Sequence, residues 1–569
     1  MRPIPAASSP PAAEPVLSAQ AAGLLLLCAL FCGFFAGGLR DAALAAPVLF
    51  CAALTALLGP RPSGDLLRPW LYFLGWAALS LVASAQPLMG LSTVSRWAVL
   101  ALFFCSACAS WGEKERRAWF WGLGACAAVL AAAAALVDRP GYPFTGILPP
   151  YYNYTCFVEA AFFSAALAAV LRPDGPRGAW RALAAVLGAL ALAEVFWANS
   201  RGALAAAAVG AGVFAWRNLP RARSWSAAAA AALLLAAFAA LATLDKLDVA
   251  PAFKRPQIWR SALAVAAEDP VLGAGPGEFA NAFLRHNFPA GYGLGMYRAR
   301  AEHAHSEVME ALAQFGFPGL LLLLAALWAG LRAGPPASSS WTREAALAAA
   351  AAMTAQCLID NMLHLPALGL LYFSALAAAR APDGRAAGRG APAWRPLAWA
   401  ALLLAGLSWL PGALVERWSA AGGIGSLLRA ARLAPADPYL REALAWAWLA
   451  ESPPQVDEAL RQLARAEALS PCNAVYPAER ARLLKGRGDW PGTLERAGRA
   501  VSLEPDYLGA RLLRAEALLR LGRRDEARAE LDEVGRRAKA LAGRLNAGSG
   551  YEGFLLRFDG ALYRRLRSG

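Results

Sequence analysis

Residues 255–319 read RPQIWRSALAVAAEDPVLGAGPGEFANAFLRHNFPAGYGLGMYRARAEHAHSEVMEALAQFGFPG, and their polarity decides how the rest of the chain is read. They form the longest polar interruption in an otherwise apolar first three quarters, and they hold His286, His303 and His305, three of the 4 histidines. Apolar runs precede this stretch, and a few more follow before a polar tail begins. A segment rich in Arg, His, Glu and Gly in that setting is where chemistry would be placed.

Working outward, the 569 residues are 58% hydrophobic and 17% charged, with mean hydropathy +0.39 and 20 Trp, which is too apolar for a soluble chain of this length. Runs long enough to cross a bilayer, about 17–25 residues each, fall at roughly 17–37, 43–58, 69–87, 96–111, 118–137, 154–171, 180–198, 202–216 and 225–244. Beyond the polar stretch they continue at roughly 307–331, 343–361, 366–380 and 394–413. The expected fold is all-α, a polytopic membrane helix bundle of about 12–14 spans with a large outward loop and a C-terminal helical-repeat domain. Its expected divisions are a cytoplasmic leader at 1–16, spans at 17–244, the large loop at 245–306, spans at 307–413, repeats at 424–540 and a tail at 541–569. The leader is too weakly basic, and the apolar run after it too long, for a cleaved signal peptide.

The formal charge of +15 follows from where Arg and Lys gather, so no nucleic-acid partner is expected. One set of alternate loops carries Lys114, Arg116 and Arg117, then Arg172, Arg177 and Arg181, then Arg217, Arg221 and Arg223, whereas the opposite short loops show only Arg40, Arg96, Arg139 and Arg201. The basic side is cytoplasmic by this rule. Arg201, the 255–305 stretch and the tail then face outward, into the periplasm of a two-membrane cell, though an even number of spans would leave the tail inside. Eight of the 9 cysteines lie in or beside apolar runs without metal spacing, and Cys472 stands alone in the tail.

From about Gly423 the chain turns to amphipathic Ala/Leu/Arg/Glu segments. Leu433-Ala434-Pro435, Leu469-Ser470-Pro471 and Leu503-Glu504-Pro505 recur at about the 34-residue period of a tetratricopeptide repeat. Such arrays offer a concave face to a peptide or protein partner.

Each candidate residue in the polar stretch has a bland reading beside the functional one. Arg201, after Asn199-Ser200 at the outer end of a run, suits a phosphate or simply snorkels to the interface. Arg255 and Arg260 flank Ile258-Trp259, a pattern that also fits an interfacial helix. Gly273, Gly275 and Gly277 lack a preceding strand and read as a tight turn, not a nucleotide loop. His303 and His305 precede a long apolar helix, with Glu302 and Glu307 beside them. No further zinc ligands are evident, so a general base or a structural histidine are the readings left open. Tyr151-Tyr152-Asn153-Tyr154 could stack on sugars or form an interfacial belt. Asp360, Asn361 and His364 gather at the outer end of a late run, where ionisable groups are costly and suggest a cavity, or an ordinary outer loop.

Taken together, Ser200-Arg201-Gly202 opening a run, Arg255-x-x-x-Trp259, the stretch Pro270-Val271-Leu272-Gly273-x-Gly275-x-Gly277-x-Phe279, and His303-Ala304-His305 followed by Gly316-Phe317-Pro318-Gly319 resemble the O-antigen ligase family. That family also holds O-antigen polymerases and protein O-oligosaccharyltransferases, and members with a repeat tail are familiar. The resemblance covers about 154–380, and the earlier runs by topology alone. Two positions depart from the family pattern: Ser306 stands where Asn is usual, and Gln314 where Glu is usual.

The resemblance implies an active site in the large loop of an enzyme in the bacterial inner membrane. Arg201 and Arg255 would hold the diphosphate of a polyprenyl-linked glycan donor, with Arg260, Arg298 and Arg300 as further candidates for phosphate contact; apart from the resemblance, Tyr152 and Asn153 of the aromatic stretch are candidate sugar contacts. His305 would be the base that activates the acceptor hydroxyl, with His303 its helper. Lipid A-core, a glycan end or a protein Ser/Thr would be the acceptor. No metal or other cofactor is implied, since the arginines take the place of a cation, and the repeats would take a protein partner. A transporter or flippase-like protein and a non-catalytic scaffold remain alternatives, although the paired repeats common in transporters are not evident.

Overall fold

The computed structural model describes residues 64–137, 152–198, 200–220, 255–289, 295–297, 300–332, 340–380, 394–546 and 550–568. The expected runs at 17–37, 43–58 and 225–244 lie outside these residues, as does Arg298. All regular structure among the described residues is helical. Among the described residues, four helices are long and apolar enough to cross a membrane: Pro87–Ser110, Tyr154–Leu171, Ala179–Trp197 and Glu307–Leu331.

The chain enters through α1 (Gly64–Leu79) and a short 3-10 turn at Ser80–Val82, then reverses into α2 (Pro87–Ser110). The reversal lies inside the run expected at 69–87, and α2 starts well before the expected residue 96. Pro87 explains the start, because its fixed φ and missing N–H suit the first helical position. Next come α3 (Glu113–Val137), α4 (Tyr152–Leu171), α5 (Ala179–Trp197) and α6 (Arg201–Asn218).

After the loop, α9 (Glu307–Leu331), α10 (Trp341–Cys357) and α11 (Pro366–Arg380) complete the described bundle, and α12 (Trp394–Ser408) and α13 (Leu410–Ala421) lead out of it. Helix α10 packs between α4 and α6. Its small side chains make that possible: Ala345, Ala346, Ala348, Ala349 and Ala350 are all buried. A Cβ added to Gly210 of α6 would come within 2.4 Å of Ser164 Oγ and 2.7 Å of the Ala348 carbonyl oxygen. Small residues let helices approach closely where lipid supplies no hydrophobic drive. The Ala-rich runs are thus weak as lipid-facing spans because they face one another. Around α1, α2 and α11 the core is aromatic instead, with Trp70, Phe73, Trp97, Phe104 and Phe373 in mutual ring contact.

The loop folds on the bundle through α7 (Arg255–Glu268) and the short α8 (Phe279–Phe283). Its own small core joins Ile258, Ala262, Val265, Phe279 and Phe283 to Ala301 and Ala304. Two devices lock it down. Gly316 in α9 has φ +67 and breaks the helix. The carbonyls left over there accept from Ala274 N (Ala313 O, 2.8 Å), Gly275 N (Gln314 O, 3.1 Å) and Trp76 Nε1 (Phe315 O, 2.9 Å). Phe317 N in turn donates to Pro270 O at 2.8 Å. The glycine-rich turn is thus a plug for a helix break: a Cβ on Gly316 would lie 2.2 Å from Val271 O. The second device is the buried Glu278, whose carboxylate accepts from Ser84 Oγ (2.7 Å), Gln86 N (2.7 Å) and Gln86 Nε2 (3.2 Å) and so ties the loop to the turn between α1 and α2.

The tail forms antiparallel helix pairs, α14 (Ile424–Leu433) with α15 (Pro438–Leu449), α16 (Val456–Leu469) with α17 (Val475–Gly486), and α18 (Trp490–Leu503) with α19 (Leu508–Arg520), followed by α20 (Arg524–Ala540). Leu433, Leu469 and Leu503 each end a helix, and the prolines two residues later prevent its continuation, which is what the repeated signature encodes. Two short helices, α21 (Gly550–Leu555) and α22 (Gly560–Ser568), fold back on the array.

The repeats dock on the loop. Tyr297 packs against a repeat-domain core that includes Val501, Tyr507, Leu555 and Leu556, and its backbone N–H donates to Glu504 Oε1 at 3.1 Å. Cys472 Sγ lies 3.9 Å from Asn287 O. Loop and repeats therefore stand at the same end of the bundle.

Candidate functional site

The segment His303-Ala304-His305 alternates: Ala304 is buried in the loop core, which turns both imidazoles out of it. Ser306 then caps α9, its hydroxyl accepting from Met309 N at 3.3 Å. To pass from core to cap, His305 takes φ +50, one of two non-glycine residues with positive φ among the described residues. Such strain persists only where surroundings over-determine it. Here Trp259 Nε1 donates to His305 O at 3.4 Å, and Ser306 N donates to Asn361 Oδ1 at 2.8 Å.

Asp360 gives the arrangement its chemical character. Its Oδ1 lies 3.3 Å from His305 Nδ1, and its Oδ2 accepts from an Arg255 terminal nitrogen at 3.1 Å. The carboxylate is buried, whereas the His305 and Arg255 side chains are 38% and 37% exposed, so both present a face to solvent from a buried anchor. A carboxylate on Nδ1 orients an imidazole and stabilises its protonated form, leaving proton transfer to Nε2.

His303 sits in a more structural frame. Its Nδ1 is 3.3 Å from Glu310 Oε1, while Glu310 Oε2 accepts from Ala304 N at 2.6 Å. The His303 ring lies against His364, with centroids 3.9 Å apart. His364 Nε2 is 3.5 Å from the Tyr154 hydroxyl, and its carbonyl accepts from Arg96 at 3.2 Å. Glu307, beside the histidines, accepts from Leu363 N at 2.6 Å and fixes the same outer loop.

The arginines separate. Arg201 opens α6 behind its Ser200 cap and is exposed, and it makes no side-chain hydrogen bond or ion pair among the described residues. A Cβ on Gly202 would meet Ile359 at 3.0 Å, which sets Arg201 beside the Asp360 end of α10. Arg255 and Trp259 share a face of α7, but Arg260 lies about 140° around the helix from Arg255, exposed and turned from the histidine. Arg300 points to the repeats, its guanidinium 4.9 Å from the Tyr439 ring centroid. Tyr152 and Asn153 open α4, with side chains outside the described residues.

Asp360, Asn361 and His364 drew notice in the sequence as costly ionisable groups, but the link from Asp360 to both His305 and Arg255 spans 55 and 105 residues and has no local signal. Arg96, one of the outer-loop charges, and Tyr154, open between sugar stacking and an interfacial belt, both reach His364. Among the described residues, no three His, Cys, Asp or Glu side chains group to hold a metal ion.

Residues 183–324 match the O-antigen ligase family, over a stretch that takes in Arg201, Arg255, His303, His305 and the Gly316 break. The chain carries an O-antigen ligase domain. Residues 484–542 of its tail match the tetratricopeptide repeat. The ligase domain thus supplies His303, His305 and two arginines, while Asp360 and His364 come from the connection between α10 and α11, beyond the matched stretch. Among solved structures, the crystal structure of MamA protein is 20% identical over 26% of this chain and 79% of its own, with TM-score 0.20. No curated protein matches the chain. The protein is therefore a multi-pass membrane protein with a glycosyltransferase-type ligase domain and a helical-repeat tail.

Proposed function

We propose that the protein transfers a glycan from a polyprenyl-diphosphate carrier to an acceptor hydroxyl, at the outer face of a bacterial inner membrane, without a metal. The observation that carries this reading is Asp360 bridging His305 and Arg255. The acceptor hydroxyl attacks the anomeric carbon of the donor glycan as the bond from that carbon to the diphosphate oxygen breaks. His305 Nε2 takes the hydroxyl proton, and the imidazolium is stabilised by Asp360. Arg255 and Arg201 receive the departing diphosphate, whose charge grows in the transition state. Asp360 also neutralises Arg255 in the resting state and keeps it aimed. His303 positions the 303–305 backbone through Glu310. The acceptor is lipid A-core, a glycan end or a protein Ser/Thr. The loop and repeats face the periplasm, in keeping with the distribution of Arg and Lys.

The test is transfer by the purified full-length protein in detergent, with a polyprenyl-diphosphate oligosaccharide donor, EDTA present, and lipid A-core, free glycan and a Ser/Thr-rich peptide offered as acceptors. Wild type should modify one acceptor, and His305→Ala should modify none. A wild type that binds donor but transfers to nothing, or a fully active His305→Ala, would remove this reading.

A further inference from the structure

Loop and repeats do not close on one another completely. Between them lies a cavity of about 270 Å³, just under the about 300 Å³ at which drug-sized ligands begin to be held, and enough for about one or two sugar rings. Its walls come from both partners. Tyr297 and Arg300 belong to the loop, and Tyr439, Glu442, Asn473 and Tyr551 to the repeat domain and its tail.

Leu284, Val475 and Phe554 add apolar wall, but the polar groups set this lining apart from a packing defect, which would be apolar throughout and dry. Tyrosine rings offer flat apolar faces edged by hydroxyls, and a carboxylate and an amide add acceptors and donors in fixed directions. Tyr439 keeps 42% of its surface exposed even with Arg300 over its ring. Other groups near the cavity are already engaged and hold its shape: Tyr551 donates to Glu504 Oε1 at 3.0 Å, on the same oxygen that accepts from Tyr297 N. Burial pushes the Glu442 carboxyl above the usual carboxylate range.

Flat aromatic faces with donors and acceptors set between them fit a saccharide, whose rings carry C–H faces and hydroxyl edges. The position fits too. Arg300 stands five residues before His305, so the two Cα atoms are at most about 18 Å apart, within reach of a short oligosaccharide whose end is at the base. We infer that the junction of loop and repeats is a saccharide-binding subsite, built jointly by Tyr297, Arg300, Tyr439, Glu442 and Tyr551, that holds a glycan chain running to His305. The inference rests on the glycan-transfer reading and deepens it. It also gives the repeat array a task besides recruiting proteins, since without its Tyr439 and Glu442 the subsite has one wall.

The experiment measures binding without transfer. Full-length protein in detergent is titrated with delipidated core oligosaccharide, with an O-polysaccharide repeat oligosaccharide and with a Ser/Thr-rich peptide, for wild type, His305→Ala, Tyr439→Ala and Glu442→Gln. Wild type and His305→Ala should bind one saccharide alike. Tyr439→Ala and Glu442→Gln should each weaken it about tenfold or more, with an unchanged melting curve. The core arm identifies an acceptor subsite and the repeat-unit arm a donor subsite. Saccharide binding unaffected by both pocket variants, no saccharide bound at about 1 mM, or peptide binding that these variants abolish instead would overturn the inference. Binding that behaves as expected in a protein that transfers nothing would sink the catalytic reading and leave the subsite standing. Transfer that survives with neutral pocket variants would do the reverse.

Discussion

The two ends of the α4, α6 and α10 bundle carry similar residue types and use them in opposite ways. At the end away from the loop, Glu344 is buried and accepts two bonds from Arg217, both at 3.0 Å, and a third from Asn218. Nearby, Glu113 accepts from Thr342, Ser340, Arg116 and Arg117, and Asp174 joins Arg172 to Trp341 N. At the loop end, Asp360 holds one nitrogen of His305 and one of Arg255, and leaves both side chains more than a third exposed. Arg201 is held by nothing described. The same guanidinium–carboxylate chemistry makes a fastener where the buried Glu344 is filled by Arg217 and Asn218, and a site where His305 and Arg255 keep an open face around the buried Asp360.

That contrast breaks first, and by the largest factor, at Asp360. Asp360→Asn keeps the shape but removes the charge that orients and stabilises the imidazolium, so transfer should fall on the order of 10³- to 10⁴-fold while the melting temperature barely moves. Rates and melting curves on one preparation would decide it. A loss of fold equal to the loss of rate would make the loop end a fastener like the other. The converse variant, Glu344→Gln, should lower stability by about 3 kcal/mol because Arg217 and Asn218 lose their shared acceptor, with the rate per folded molecule unchanged. A rate defect without a stability defect there would erase the distinction between the ends.

A second pair of regions sharpens the point. The glycine turn and the histidine segment lie on either side of the first turns of α9, and both contain positive φ values. At Gly316 the strain is avoided by having no Cβ, whereas at His305 it is accepted. Gly316→Ala should therefore cost at least about 2 kcal/mol, from a left-handed alanine and a Cβ within 2.2 Å of Val271 O. It should also expose the 270–277 turn to amide exchange. His305→Gly should relax its backbone and leave stability equal or slightly higher, with transfer gone. A destabilised His305→Gly would mean the imidazole braces the fold.

How much of this was legible in the sequence follows from the range over which each feature is encoded. The helical class, the repeat tail and the tight turn at Gly273, Gly275 and Gly277 rest on local pattern, and each has its counterpart in the described structure. The reversal at residues 83–86 was missed because the apolar pattern runs through it, and it is fixed by Glu278 from 192 residues away. Asp360 was visible as an oddity and invisible as a partner for the same reason. Repeat docking through Tyr297 and Glu504 joins residues 207 apart in sequence, and neither residue type signals such a contact alone.

The smallest expected effect concerns the third histidine of the loop, a control for the other two. His286 and Arg285 both reach Glu268, at 2.7 and 2.5 Å, on the open surface of α7. The Arg285 hydrogen bond, with His286 beside it, holds the Glu268 carboxyl below the usual carboxylate range. A carboxyl whose folded value is depressed adds stability that is present above the ordinary value near about 4.3 and lost as pH falls through the lowered one. The groups are about two-fifths exposed on the carboxylate and arginine sides, so solvent screening should keep the contribution under about 1 kcal/mol. Glu268→Gln should remove that increment in 0.1 M salt and show no difference in 1 M salt, with transfer unchanged at every pH. If transfer fell with Glu268→Gln as it does with Asp360→Asn, His286 would belong to the site, and the division between anchored surface and open-faced centre would have to be redrawn along α7.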